Sequence, residues 1–210
     1  MKIRPVSLTL TVLSLTLASL SVGQAKPVTF DFKDPKEVNN VVFQLDAPLE
    51  AINGTANGIT GTVTVDPENP AKTKGRIVVA TDSLTVPNSV MRGHMLGKKW
   101  LDAKAHPKIT FDIKSISAVK KSKTTGSAQV TGTFTLHGVS KEITVEARVT
   151  HLPDKLGERS GGKMEGDLLV IRSKFTINRS DYKIQPGENT DKVSEEIEIS
   201  LSIAGAAPRK

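Results

Sequence analysis

An antiparallel all-β fold is predicted by three features of the chain. Apolar and polar residues alternate with a period of two through most of its length, the alternating runs are separated by Gly-, Pro- and Asn-containing turns, and a single stretch has helical spacing. The clearest run is Ala128 to Val149. Ala128, Val130, Gly132, Phe134 and Leu136 share one face, and after His137-Gly138 the residues Ile143, Val145, Ala147 and Val149 share another. Such a pattern describes a hairpin with one buried face.

Taken in order, residues 1–25 read as a cleavable signal peptide. Lys2 and Arg4 form a positive start, Val6 to Leu20 is an apolar stretch diluted by Ser and Thr, and Gly23-Gln24-Ala25 offers small residues for cleavage. The apolar stretch is shorter than the roughly 20 residues of a spanning helix. Export of a soluble mature chain is therefore expected, with a barrel or sandwich domain over 26–204 and a disordered tail over 205–210.

Val28, Phe30 and Phe32 make a first strand, and Val41, Phe43 and Leu45 a second. Asn53-Gly54 and Asn57-Gly58 read as turn or bulge formers in a loose stretch from Ala51 to Thr60. Ile59 to Val65 is the third strand, and Gly75 to Leu84 the fourth. Between Asn88 and Trp100 the apolar spacing of Val90, Met91, Met95 and Leu96 predicts one short helix, weakened by Gly93 and Gly97. Ile109, Phe111 and Ile113 resume the strand pattern, and the Lys120, Lys121, Lys123 run reads as a solvated loop. The hairpin follows, then a polar loop, a strand through Leu169, Ile171, Phe175 and Ile177, and a last strand through Ile197, Ile199, Leu201 and Ile203.

A sandwich and a closed barrel both satisfy about nine such strands. Small inward residues, Gly61, Ala128, Gly132 and Ala147 among them, predict room inside a barrel for something apolar.

Composition narrows the chemistry. The chain has 210 residues and no cysteine, so disulfides, thiolate metal sites and a lipoprotein anchor are excluded. The net charge is +7, and loss of Lys2 and Arg4 leaves +5. Basic and acidic residues are interleaved and aromatic residues make up only 4%, which argues against nucleic-acid binding but is compatible with transient contact with a membrane surface. His94, His106, His137 and His151 show no local ligand spacing, so no metal is expected. With no nucleophile elbow, phosphate loop or paired carboxylates, an enzyme is not expected either, nor any cofactor.

Four blocks together carry a family resemblance: Gly61–Pro67, Trp100–Ala103 running into His106–Phe111, Gly132–Lys141, and Ile177–Tyr182. In order and spacing they resemble the YceI family of bacterial periplasmic polyisoprenoid-binding proteins, over residues 27–204. The resemblance implies a lipocalin-like closed barrel of about eight strands with one short helix. It also implies non-catalytic binding, storage or transport of a polyisoprenoid lipid, a polyprenyl quinone or a polyprenyl alcohol or phosphate. The alternative is an envelope-stress or protein-interaction module with a filled barrel. One departure stands in the fourth block, where Lys183 follows Tyr182 in place of the family's usual Gly.

Candidate lining residues are Phe30, Phe43, Val63, Phe111, Ile113, Phe134 and Leu136 from the first part of the barrel. Val145, Leu169, Ile171, Phe175, Ile199 and Leu201 continue the set. Met91, Met95 and Trp100 read either as an adaptable lid or as a helix-packing stripe. Arg179, Asp181 and Tyr182 read either as head-group contacts or as residues that pin a turn and close the barrel. Oligomeric state is left open, a dimer included.

Overall fold

The computed structural model describes residues 26–209, so the expected signal peptide lies outside the described residues. Ten strands form one antiparallel sheet: β1 (Val28–Asp31), β2 (Asn40–Asp46), β3 (Ala51–Ala56), β4 (Ile59–Val65) and β5 (Lys74–Ala80), then β6 (Lys108–Lys121), β7 (Thr125–Leu136), β8 (Val139–Leu152), β9 (Gly166–Asn178) and β10 (Glu196–Pro208). The pairing of β1 with both β4 and β10 closes the sheet.

Ten strands make only eight staves. β1 and β2 lie end to end along the same edge of β10, Asp31 opposite Ala206 and Asn40 opposite Ser202. β4 and β3 pair with them in turn, as one further interrupted stave. The result is a closed eight-stranded antiparallel barrel, in which the outer edge of β3 is met only by the Thr55–Thr85 bridge. The gap between β1 and β2 is bridged by a side chain: the Asn39 amide donates to the carbonyls of Phe32 and Ala204 at 3.0 and 3.1 Å and accepts the Ala204 N–H at 2.8 Å. It supplies the bonds that a continuous strand would have made with β10.

The β7–β8 hairpin has the expected inward set. Val130 opposes Val145 and Ala128 opposes Ala147, and the turn needs only His137 and Gly138. Both turn residues have positive φ, 51° and 73°, the backbone twist that two-residue hairpins prefer.

Five expectations are corrected. The loose stretch holds β3, and Asn53-Gly54 is not a turn: Gly54 faces Phe43 across the ladder, and a Cβ there would lie 2.1 Å from the ring's Cζ. Glycine at this position makes room for an aromatic ring, a use that turn propensity does not reveal. The fourth strand ends at Ala80 and passes into a 3-10 turn, Thr81–Ser83. The polar loop carries a second, one-turn α-helix, so there are two α-helices among the described residues. The helices are α1 (Ser89–Leu96) and α2 (Leu156–Ser160). Lys120 and Lys121 end β6 rather than standing in a loop. The tail expected to be disordered is strand as far as Pro208, with Gly205, Ala206 and Ala207 opposite Leu169, Leu168 and Asp167.

α2 is held by long-range bonds rather than helix propensity. Arg159 reaches the Asp34 carboxylate at 2.9 Å. Burial pushes the Asp34 carboxyl up, but the N–H groups of Asn39, Lys36 and Val38 together with Arg159 outweigh it and hold it below the usual range. α2, the β1–β2 connection and β10 are thereby tied together.

Candidate ligand-binding cavity

The barrel encloses a cavity of about 800 Å³, within the range of small-molecule sites. Its wall is aliphatic and aromatic. Phe30, Phe43, Val63, Phe111, Ile113, Phe134, Leu136, Val145, Leu169, Ile171, Phe175, Ile199 and Leu201 all border it, as do Met91, Met95 and Trp100 from above. Val41, Ile52, Ile77, Ile116, Val130 and Ile203 also line it. Their period-two alternation was the available signal. Ile184 and Val193 line it from a loop without periodicity, where sequence offers none.

The room does not come from every small inward residue. A Cβ on Gly132 would lie 2.5 Å from the Phe111 ring, and one on Gly205 would lie 2.8 Å from Phe32, so aromatic rings already occupy those positions. Gly61 serves a backbone approach, since a Cβ there would meet the Arg76 carbonyl at 2.1 Å. Ala128 and Ala147 do border the open space.

The two ends of the cavity are built differently. At one, α1 and the loop after Tyr182 form a roof. Asn88 caps α1, its side chain accepting the Met91 N–H at 3.0 Å, and Met91 and Met95 face the cavity while Val90, expected on the same face, is 66% exposed. Tyr182 is 2% exposed and does not line the cavity; its ring packs edge-on against Phe134 at 5.6 Å. Burial, with the neighbouring Asp181 carboxylate, pushes the Tyr182 hydroxyl up to about 12. Asp181 points outward to Lys141 at 2.6 Å.

Arg179, 1% exposed, holds this roof together. Its guanidinium donates to the carbonyls of Ser194, Ile184, Gln185, Glu188 and Val193 and pairs with Glu195 at 3.0 Å, while Trp100 stacks 5.7 Å from its centre. Five N–H donors serve six acceptors, so none is left for a head group. Of the two readings of Arg179, Asp181 and Tyr182, the geometry realises the turn-pinning one. Lys183 adopts φ 58°, ψ 29°, the left-handed conformation in which glycine is favoured, so the turn keeps its shape despite the departure.

The hairpin end, formed by the β4–β5 and β6–β7 turns, has no such plug. Along β7, Leu136, Phe134, Gly132 and Val130 are buried but Ala128 and Gly126 are half-buried; along β8, Val145 and Ala147 are buried, Val149 is half-buried and His151 exposed. The 3-10 segment Pro70–Lys72 lies beside β6 at this end. Among the described residues, no cluster of three or more His, Cys, Asp or Glu is arranged to hold a metal ion, and no helix is long and apolar enough to cross a membrane.

Comparison with known proteins bears on this architecture. A family model described as a YceI-like domain matches residues 34–204. Protein YceI of Escherichia coli O17:K52:H18 is 28% identical over 198 residues, covering 92% of this chain and 95% of the relative. A UPF0312 protein of Yersinia pestis is 26% identical over 200 residues, covering 93% and 96%. Among solved structures, BcnA of Burkholderia cenocepacia aligns with a TM-score of 0.65 at 20% identity, covering 79% of this chain and 95% of that one. A polyisoprenoid binding domain from Saccharophagus degradans, implicated in plant cell wall breakdown, aligns with a TM-score of 0.61 at 12% identity, covering 87% and 100%. At these identities the likeness is one of fold.

Proposed function

Taking as premise that the chain belongs to the YceI-like family, we infer that it binds a polyisoprenoid lipid, with the prenyl chain lying in the barrel. The observation that carries this reading is the apolar cavity of about 800 Å³ inside a closed barrel. A prenyl chain has no hydrogen-bonding group, so shape and dryness are all its site has to provide. Each buried methylene contributes about 0.8 kcal/mol, and several isoprene units together exceed the cost of association.

The filled-barrel alternative is opposed by the same cavity. The polyisoprenoid binding named for the Saccharophagus neighbour supports the choice of ligand class. A signal-peptide reading of residues 1–25 supports action in the periplasm, as a carrier or store rather than a catalyst. The test is organic extraction of protein purified from its natural host, followed by mass spectrometry. A co-purified prenyl lipid is expected. A lipid-free protein that also takes up neither a polyprenol nor a polyprenyl quinone would refute the reading.

A further inference from the structure

The reading above leaves the head group open between a quinone, an alcohol and a phosphate. We propose that the hairpin end is the mouth of the cavity and that Lys120, Lys121 and Lys123 there receive an anionic head group of the phosphate-ester class. This inference rests on the reading that the barrel holds a prenyl chain.

β6 is irregular along its second half. Its register against β7 shifts twice, between Ile113 and Ser115 and between Ser117 and Lys120, and Ala118 within the second shift has φ 49°. After that shift Lys121 stands opposite Gly126, in the phase of Ala128, Val130 and Gly132, which face the interior. Each shift adds one residue to β6, so the two cancel in phase and Lys121, eight residues after the inward-facing Ile113, stands on the inward face as the strand's last residue. Lys121 leans over the rim, its Nζ donating to the Pro67 carbonyl at 3.0 Å. Lys120 and Lys123 border the cavity beside it, and Val119, 41% exposed, continues the apolar wall up to them.

Charge distinguishes this rim from the other. At the helix end the charged residues bordering the cavity are Glu50, Lys192 and the saturated Arg179, with His94 beside them. At the hairpin end they are three lysines and Asp66, whose carboxylate already accepts the N–H groups of Glu68 and Asn69 at 3.0 Å each, with His151 beside them. Lys72 and Lys74 lie on the neighbouring turn, together with Pro27 and Asp66, around an adjoining depression. A lysine ammonium binds phosphate as a mobile point charge and needs no rigid fork, which suits a solvated rim. A tail drawn inward from this mouth leaves its phosphate among the lysines.

The test compares a polyprenyl monophosphate, the polyprenol of the same length and a polyprenyl quinone, measured by competition with an apolar fluorophore. They are titrated against the whole protein and against the triple variant K120Q/K121Q/K123Q. A variant with K98Q/K99Q/K104Q, three exposed lysines of the helix end, controls for net charge. The whole protein should prefer the phosphate over the alcohol by roughly tenfold at low salt, as expected for three exposed charge pairs. That preference should shrink towards unity in the triple variant and in ~1 M salt, where the Debye length is about 3 Å, and persist in the control. Equal affinity of the whole protein for phosphate and alcohol overturns the inference and leaves the lipid reading standing. Binding of none of the three ligands overturns both. A third arm uses vesicles of phosphatidylglycerol: if the triple variant loses vesicle binding while its phosphate-to-alcohol ratio is unchanged, the lysines serve a membrane surface and the inference falls.

Discussion

The helix end and the hairpin end of the barrel solve opposite problems with the same wall between them. At the helix end a buried cation gathers carbonyls: Arg179 bonds to five of them and to Glu195, and Tyr182 and Trp100 pack around it. At the hairpin end the cations are exposed and the inward residues lose burial step by step. A buried charge with all its donors engaged rigidifies whatever surrounds it, whereas exposed charges contribute little to stability and remain available to a ligand. Residue type alone does not separate the two uses; satisfaction of donors does.

The largest expected effect breaks the first half of that contrast. R179M leaves five carbonyls and Glu195 without their donor and should cost about 3–5 kcal/mol, lowering the melting temperature by on the order of 10 °C. K121Q, which loses one exposed bond, should change stability by less than ~0.5 kcal/mol. Thermal denaturation of both reads the contrast directly; equal effects would dissolve it.

Next in size is an alkaline limb belonging to the helix end. Tyr182 ionises near 12 in the folded barrel against its ordinary value of 10, so the unfolded chain releases this proton first. The associated stability is whole below pH 10 and declines as pH rises from 10 to 12, by on the order of 2 kcal/mol. Y182F should lack that decline. Denaturant melts of both proteins at pH 9 and pH 11.5 measure the difference, and parallel curves would show that Tyr182 is not held in the dry environment described.

A128W probes the hairpin half. The indole enters open space beside Gly126 and Val130, so stability should move by less than ~1 kcal/mol while uptake of an apolar fluorophore falls at least severalfold. Undiminished uptake would mean that ligands enter from the helix end. The smallest effect is K183G, which relieves a left-handed non-glycine residue under the roof and should stabilise by about 0.5 kcal/mol, a rise of roughly 1–2 °C.

Much of the barrel wall was legible before the structure. Alternation from Ala128 to Val149 specified both the inward set and the hairpin register, because side chains on a strand change face at every residue. The same rule placed Phe30, Val63, Leu169 and Ile203 correctly. It failed where a distant partner reinterprets a local signal. Asn53-Gly54 has turn composition, yet its glycine accommodates Phe43 on the neighbouring strand. Ala204 to Pro208 looked like a weak tail, yet β9 runs alongside them for their whole length.

The chain's own pattern was enough to determine the all-β class and most of the residues that face inward, since periodicity is a property of neighbours in sequence, but it left a sandwich and a closed barrel equally satisfied. Only the tertiary structure decided how β1 and β2 join end to end on β10, which rings occupy the glycine positions, that Arg179 is saturated and that Lys121 reaches the Pro67 carbonyl at the rim. Those outcomes depend on contacts between segments far apart in the chain. No local alternation can encode a relation of that kind.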